Sequence, residues 1–173
     1  MAFIWGMTFI WMKQALTAAD SVLPEADGKW VAMHFVAGRF LIGSMSTVIF
    51  LRASRSGFRD KEVWMGGGTL GLILILGFLI QMIGLTGVTP AVSAFLTSLY
   101  VVFTAVIGVA IGRQRFTAFM FAGVVLATFG AGWISGPPRV EFGKGEWLTV
   151  ASGFLFALHI IFTDRVTRAV DPI

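Results

Sequence analysis

The sequence predicts an all-α fold, a polytopic helical membrane bundle of six transmembrane helices. Three observations carry that expectation. Of 173 residues, 57% are hydrophobic and only 13% are charged, whereas a soluble domain keeps about a quarter of its residues charged. The apolar residues gather into runs of bilayer length, about 17–25 residues each. Polar breaks bearing glycine and proline separate those runs. The net charge of +4 comes from basic residues lying mostly between the runs, so it reads as topology and not as nucleic-acid binding. With no cysteine, a disulfide framework, a thiolate metal site and a cysteine nucleophile are excluded.

The first span is Ala2–Ala18. A secretory signal opens on a basic n-region, yet Met1 to Met12 contains no basic residue and Lys13 interrupts the run. The segment reads as a retained helix, with cleavage after Leu16-Thr17-Ala18-Ala19 formally open. Asp20 to Lys29, acidic and holding Pro24 and Gly28, leads to the second span, Trp30–Leu51. A basic loop, Arg52 to Glu62, precedes the third, Val63–Leu85.

Thr86 to Pro90 is a tight polar turn into the fourth span, Ala91–Ile111. Thr89 suits the N-cap and Pro90 the N1 position, where a missing N–H costs nothing. The span carries no formal charge and is roughly 31 Å long as a helix, the thickness of a hydrocarbon core. Gly112, Arg113 and Arg115 end it. Ser93, Thr97, Tyr100 and Thr104 recur on one face of this helix, so that face should meet protein or a wet cavity. The fifth span is Phe116–Ile134. After Ser135 to Glu146, with Gly136-Pro137-Pro138, comes the sixth, Trp147–Thr163.

Loop charges orient the bundle. Arg52, Arg55, Arg59, Lys61, Arg113, Arg115, Arg165 and Arg168 fall on one side; Lys29, Arg139 and Lys144 fall on the other. The richer side should be cytoplasmic, with both ends of this chain on it. The glycine pairs Gly67/Gly71 and Gly108/Gly112, and the small-residue face Gly123, Ala127 and Gly130, read as sites of close helix approach. Gly77, Gln81 and Gly84 form a further small face that carries an amide, fit to line a cavity or to bond across helices.

Among polar groups inside the spans, Arg39 stands out. It lies roughly 14 Å into its span, where a charge costs at least about 2.5 kcal/mol. Phe35, Gly43 and Ser46 share its face, which should point inward. Two roles fit it: a substrate-binding cation, or an arginine that ties neighbouring helices through their carbonyls. Lys13 is close enough to its helix end to snorkel, although Gly6 and Thr17 on its face favour an inward position. His159 shares a stripe with Thr149, Ser152 and Thr163, and either shuttles protons or packs. His34 is interfacial. Neither histidine has a metal-ligand spacing. No acidic residue falls inside a span: Asp20, Glu62, Glu146 and Asp164 sit at ends or in loops. An anionic substrate therefore suits Lys13 and Arg39 better than an organic cation does.

WGMTFIWMK (Trp5 to Lys13), AGRF (Ala37 to Phe40) and GLTGVTPAVSAFLTSLYVVFTAVIGVAIGRQRFTAFMFAGVVLATFGAGW (Gly84 to Trp133) resemble the EamA-type drug/metabolite transporter superfamily. GEWLTVASGFLFALHIIFTDRVTR, from Gly145 to Arg168, resembles the opening helix of that family's second repeat. The resemblance implies two inverted five-helix repeats, with residues 1–135 as the first repeat. Residues 136–173 would then be a linker and the first helix of a truncated second repeat, with four more helices expected beyond Ile173. Where the family usually has Gly-Glu after the fourth helix, this chain has Gly112-Arg113, which puts a gating role for that acidic residue in doubt.

What the resemblance implies is a secondary transporter that works by alternating access and exports a small metabolite or amphipathic compound. Its polar lining would be Arg39, Gln81, Ser93, Thr97, Tyr100 and Thr104, with Lys13 and His159. It would sit in the cytoplasmic (inner or plasma) membrane, in contact with lipid and a small-molecule substrate, with a homodimer open and no cofactor, metal or nucleic acid. No HExxH or Gly-x-Ser-x-Gly supports an enzyme. The alternative is a non-transporting structural or assembly subunit, or an inactive transporter fragment.

Overall fold

The computed structural model describes residues 2–25, 27–50, 61–112, 117–134 and 143–169. Arg52, Arg55, Arg59, Arg113, Arg115 and Arg139, which carry much of the charge bias, lie outside the described residues. Among those described, every regular element is a helix: α1 (Ala2–Val22), α2 (Gly28–Phe50), α3 (Lys61–Gly87), α4 (Pro90–Ser98), α5 (Tyr100–Ala110), α6 (Ala118–Ile134) and α7 (Lys144–Ala169).

Four of the six expected crossings are long and apolar enough: α2, α3, the joined run Pro90–Ala110 formed by α4 and α5, and α7. α1 has the length but is diluted by Lys13, Gln14 and Asp20. α6 has 17 residues, about 26 Å of helix against a core of about 30 Å. Several helices also overrun their apolar spans. α3 starts at Lys61 instead of Val63, and α7 covers Lys144–Ala169 instead of Trp147–Thr163. Apolar content marks the hydrocarbon slab, while backbone hydrogen bonding continues into the interface, where long charged side chains reach water.

The turn between α3 and α4 forms as its residues dictate. Thr89 is extended (φ −77°, ψ 155°) and its hydroxyl accepts from the Val92 N–H, with Pro90 opening the helix. At the far end Gly112 takes φ +69°, the left-handed geometry that glycine supplies at a helix C-terminus. The sequence does not foretell the interruption at Leu99. There the N–H is shared between the carbonyls of Leu96 and Thr97, a local tightening of 3₁₀ type. Ser98 Oγ bonds back to the Phe95 carbonyl at 2.6 Å, a contact that commonly bends helices.

The core gathers Phe9, Met12 and Leu16 of α1, Ala32 and Val36 of α2, Phe78, Met82 and Leu85 of α3, Val88, and Phe156 of α7. α3 is central and packs most extensively on α7. Glycines set that contact. A Cβ on Gly66 would meet Val166, one on Gly77 would meet Phe156, and one on Gly84 would meet Thr149 and Gly145. Numbers rising along α3 fall along α7, so the pair is antiparallel. This corrects the expected packing motif: Gly67, Gly71 and Gly123 have no atom within 4 Å of where a Cβ would be. The close approach uses the face of Gly77, Gln81 and Gly84, because that face turns toward α7.

Candidate functional site

Helices α1, α2, α3 and α7 and the α4–α5 run line a half-open cavity of about 1180 Å³. α1 contributes Phe9, α2 contributes Arg39 and Phe40, and α3 contributes Phe78. Thr97 and Tyr100 flank the Leu99 interruption, and Phe156 and His159 come from α7. Arg39 lies roughly 16 Å along α2 from Gly28, and Phe78 roughly 14 Å along α3 from Gly87. Both are therefore near the middle of a core about 30 Å thick. Gly153 lets α7 close over the interruption: a Cβ there would sit 3.2 Å from the Thr97 carbonyl and 3.6 Å from the Tyr100 nitrogen.

The Arg39 guanidinium carbon lies 4.5 Å from the centroid of the Phe78 ring. Phe78 is itself held edge-on by Phe40 at 5.6 Å and by Phe156 at 5.1 Å. A cation–π contact contributes about 0.5–2 kcal/mol, against a cost of at least about 2.5 kcal/mol for a charge at the centre of a bilayer. The ring therefore offsets part of the penalty and leaves the in-plane N–H donors unused. Among the described residues, no carboxylate, carbonyl or hydroxyl pairs with that guanidinium. The Tyr100 hydroxyl and the His159 ring are likewise without a hydrogen-bond partner among the described residues.

Ser44, Thr47 and Ser98 in the wall already donate to carbonyls of their own helices. Ser44 donates to the Phe40 carbonyl at 2.7 Å, Thr47 to the Gly43 carbonyl at 2.9 Å, and Ser98 to Phe95 as described. Thr97 Oγ1 accepts from Gln81 Nε2 at 2.9 Å. Among the described residues, donors without a partner are therefore found at Arg39, Tyr100 and His159, on three different helices around one apolar space, with the Thr97 hydroxyl proton beside them.

The model of the EamA-like transporter family matches residues 1–136. The chain belongs to this family. It is therefore an integral, multi-pass membrane protein of a transporter family. An uncharacterized transporter of Archaeoglobus fulgidus is 30% identical over 171 residues, covering 99% of this chain and 49% of that protein. The chain spans about half the length of the curated relative it matches. No solved structure matches.

In this EamA-like chain, the expected site residues divide into two sets. Arg39, Thr97, Tyr100 and His159 line the cavity. Gln81 and Ser93 stand behind the wall, 1% and 0% exposed, and Gln81 Oε1 and Ser93 Oγ have no hydrogen-bond partner among the described residues. Thr104 turns back to the Tyr100 carbonyl at 2.7 Å. Lys13 lies apart from the cavity. Its ammonium meets the carbonyls of Leu85 at 2.8 Å, Thr86 at 3.3 Å and Val88 at 3.2 Å. Those bonds occupy its three donors and place positive charge at the negative end of the α3 dipole. His34 stacks on Trp30, with ring centroids 3.8 Å apart, on an exposed stretch of α2.

Sequence reasoning missed the aromatic wall of Phe40, Phe78 and Phe156. One phenylalanine among 17 carries no signal by identity. Placement was the available signal: Phe40 follows Arg39 directly, and Phe156 precedes His159 by one helical turn.

Proposed function

We propose that the chain is part of a secondary transporter that moves a small metabolite or amphipathic compound by alternating access, with Arg39, Thr97, Tyr100 and His159 in the binding wall. The observation that carries this reading is the mid-depth cavity, where donors from three helices have no partner among the described residues. In this reading Gln81, Ser93 and Thr104 shape the helix that presents Thr97 and Tyr100, and Lys13 holds the α3–α4 turn. The Leu99 interruption and the Gly153 contact supply a bendable element beside the cavity, as a site reached alternately from each side requires.

The topology proposed has six crossings, with α1 and α6 spanning as well, residues 1–135 as one repeat, and α7 opening a second. The basic loops put the N-terminus in the cytoplasm of a cell bounded by this membrane. Export as the direction rests on the drug/metabolite resemblance. The second reading is a non-transporting structural or assembly subunit, or an inactive transporter fragment.

One measurement separates the two. Everted vesicles containing the whole protein of which this chain is part are offered a panel of radiolabelled metabolites under an imposed gradient. Saturable uptake above protein-free vesicles is expected. Folded protein with no saturable flux for any compound would defeat the transport reading and leave the subunit reading standing.

A further inference from the structure

The walls of the cavity differ sharply in what they offer a ligand. Arg39 brings a full positive charge, with its ring contact on one face and its N–H fork open. Tyr100 and His159 add hydrogen-bonding groups from α5 and α7. The described carboxylates, Asp20, Glu25, Asp27, Glu62, Glu146 and Asp164, sit at helix ends or in loops, and none of them lines the cavity. Phe9, Phe40, Phe78 and Phe156, with Leu74 and Ile160, make up much of the remaining surface.

From this asymmetry we infer that the cavity selects an organic monoanion, a single carboxylate on an aromatic or branched apolar body. The inference rests on the proposal that this cavity is the substrate site. A carboxylate can accept two parallel N–H bonds from the guanidinium, the geometry that an arginine fork matches best. It also neutralises a charge that has no counter-ion among the described residues. The apolar body packs on the phenylalanine wall, where offset and edge-on ring contacts are favourable. A cation meets Arg39 as a like charge. A zwitterion satisfies Arg39 but buries an ammonium with no carboxylate to receive it, and a dianion leaves its second charge uncompensated. Size does not decide the matter, because about 1180 Å³ exceeds the usual pocket range of about 300–1000 Å³.

The test uses a matched set of probes with one body and four charge states: 3-phenylpropionate, 3-phenylpropanamide, 3-phenylpropylamine and phenylalanine. Their binding to the purified chain is measured by equilibrium dialysis. The wild-type chain should bind the propionate at least about tenfold more tightly than the amide, with the amine and the zwitterion weaker still. Arg39→Gln should abolish the difference between propionate and amide. Arg39→Lys should keep part of the preference, since charge remains and the fork is lost. The wild-type comparison needs no variant and stands even if Arg39→Gln does not fold. Equal binding of the set, preference for the amine, no binding of the propionate, or a preserved preference in folded Arg39→Gln would overturn the inference. Flux measured on the same compounds separates it from the transport reading. Selective binding of the propionate without flux defeats transport alone, while flux of the amide and amine at the propionate's rate defeats the monoanion alone.

Discussion

Replacing Gly84 by alanine puts a methyl group into the α3–α7 contact at its tightest backbone approach. The new Cβ would lie 2.7 Å from Thr149 Oγ1 and 2.8 Å from the Gly145 carbonyl oxygen. Reaching an ordinary separation of 3.4 Å means a retreat of about 0.6 Å from a backbone atom, which no rotamer change supplies. Thr149 Oγ1 also donates to that carbonyl at 2.8 Å, so moving either atom disturbs the bond. Overpacking of this kind costs about 1–3 kcal/mol. Alanine also gains about 1 kcal/mol of helix propensity over glycine, which hides part of the loss in a single variant. Gly67→Ala makes the same gain on the same helix with no atom within 4 Å, so the difference between the two variants isolates the contact. Unfolding of the purified chain in mixed micelles, followed by far-ultraviolet circular dichroism against SDS, should place Gly84→Ala about 1–3 kcal/mol below Gly67→Ala. Gly77→Ala should fall between them, because its 2.8 Å neighbour is the Phe156 ring, which can pivot. Equal stability of Gly84→Ala and Gly67→Ala would refute the α3–α7 register.

Thr97→Val leaves the Gln81 amide buried without its acceptor and should destabilise the chain by about 1–3 kcal/mol. The double variant Gln81→Leu with Thr97→Val should recover most of that loss in the same unfolding assay, and an additive double variant would contradict the pairing. Lys13→Met removes the cation from three carbonyls at the end of α3 and should lower stability by about 1–2 kcal/mol. The folded variant should keep the charge preference of the cavity, and loss of that preference would return Lys13 to the binding wall. Because the chain has no cysteine, single cysteines report topology cleanly. A cysteine in the 20–29 loop should react with a membrane-impermeant maleimide in intact cells and one in the 52–62 loop should not; the reverse pattern would invert the proposed orientation.

Much of the local structure was legible because it depends on neighbours in the chain. Thr89 and Pro90 form the cap their chemistry predicts, and Gly112 ends its helix by the one conformation it tolerates better than other residues. The spacing of Ser93, Thr97, Tyr100 and Thr104 put them on one face; Ser93 and Thr97 are buried and Tyr100 lines the cavity, whereas Thr104 is half-buried and bonds back to the Tyr100 carbonyl. Arg39 was conspicuous because a charge at that depth needs a reason, and the structure brings it to the cavity.

What the sequence by itself determined is therefore the class of the protein, an all-helical membrane protein, the ends of several helices, and the residues expensive enough to need partners. The tertiary structure alone decided which partners they have. Gly67 and Gly71 fit the small-residue motif as well as Gly77 and Gly84 do, and only the rotation of α3 against α7 chose between them. Lys13 and Arg39 are both cations inside helices, yet one is saturated by the carbonyls of a turn more than seventy residues away and the other faces an aromatic ring and open space. Periodicity assigns a side chain to a face of its own helix. What that face meets is set by how the helices rotate and pack against one another, and that depends on contacts between residues far apart in the chain.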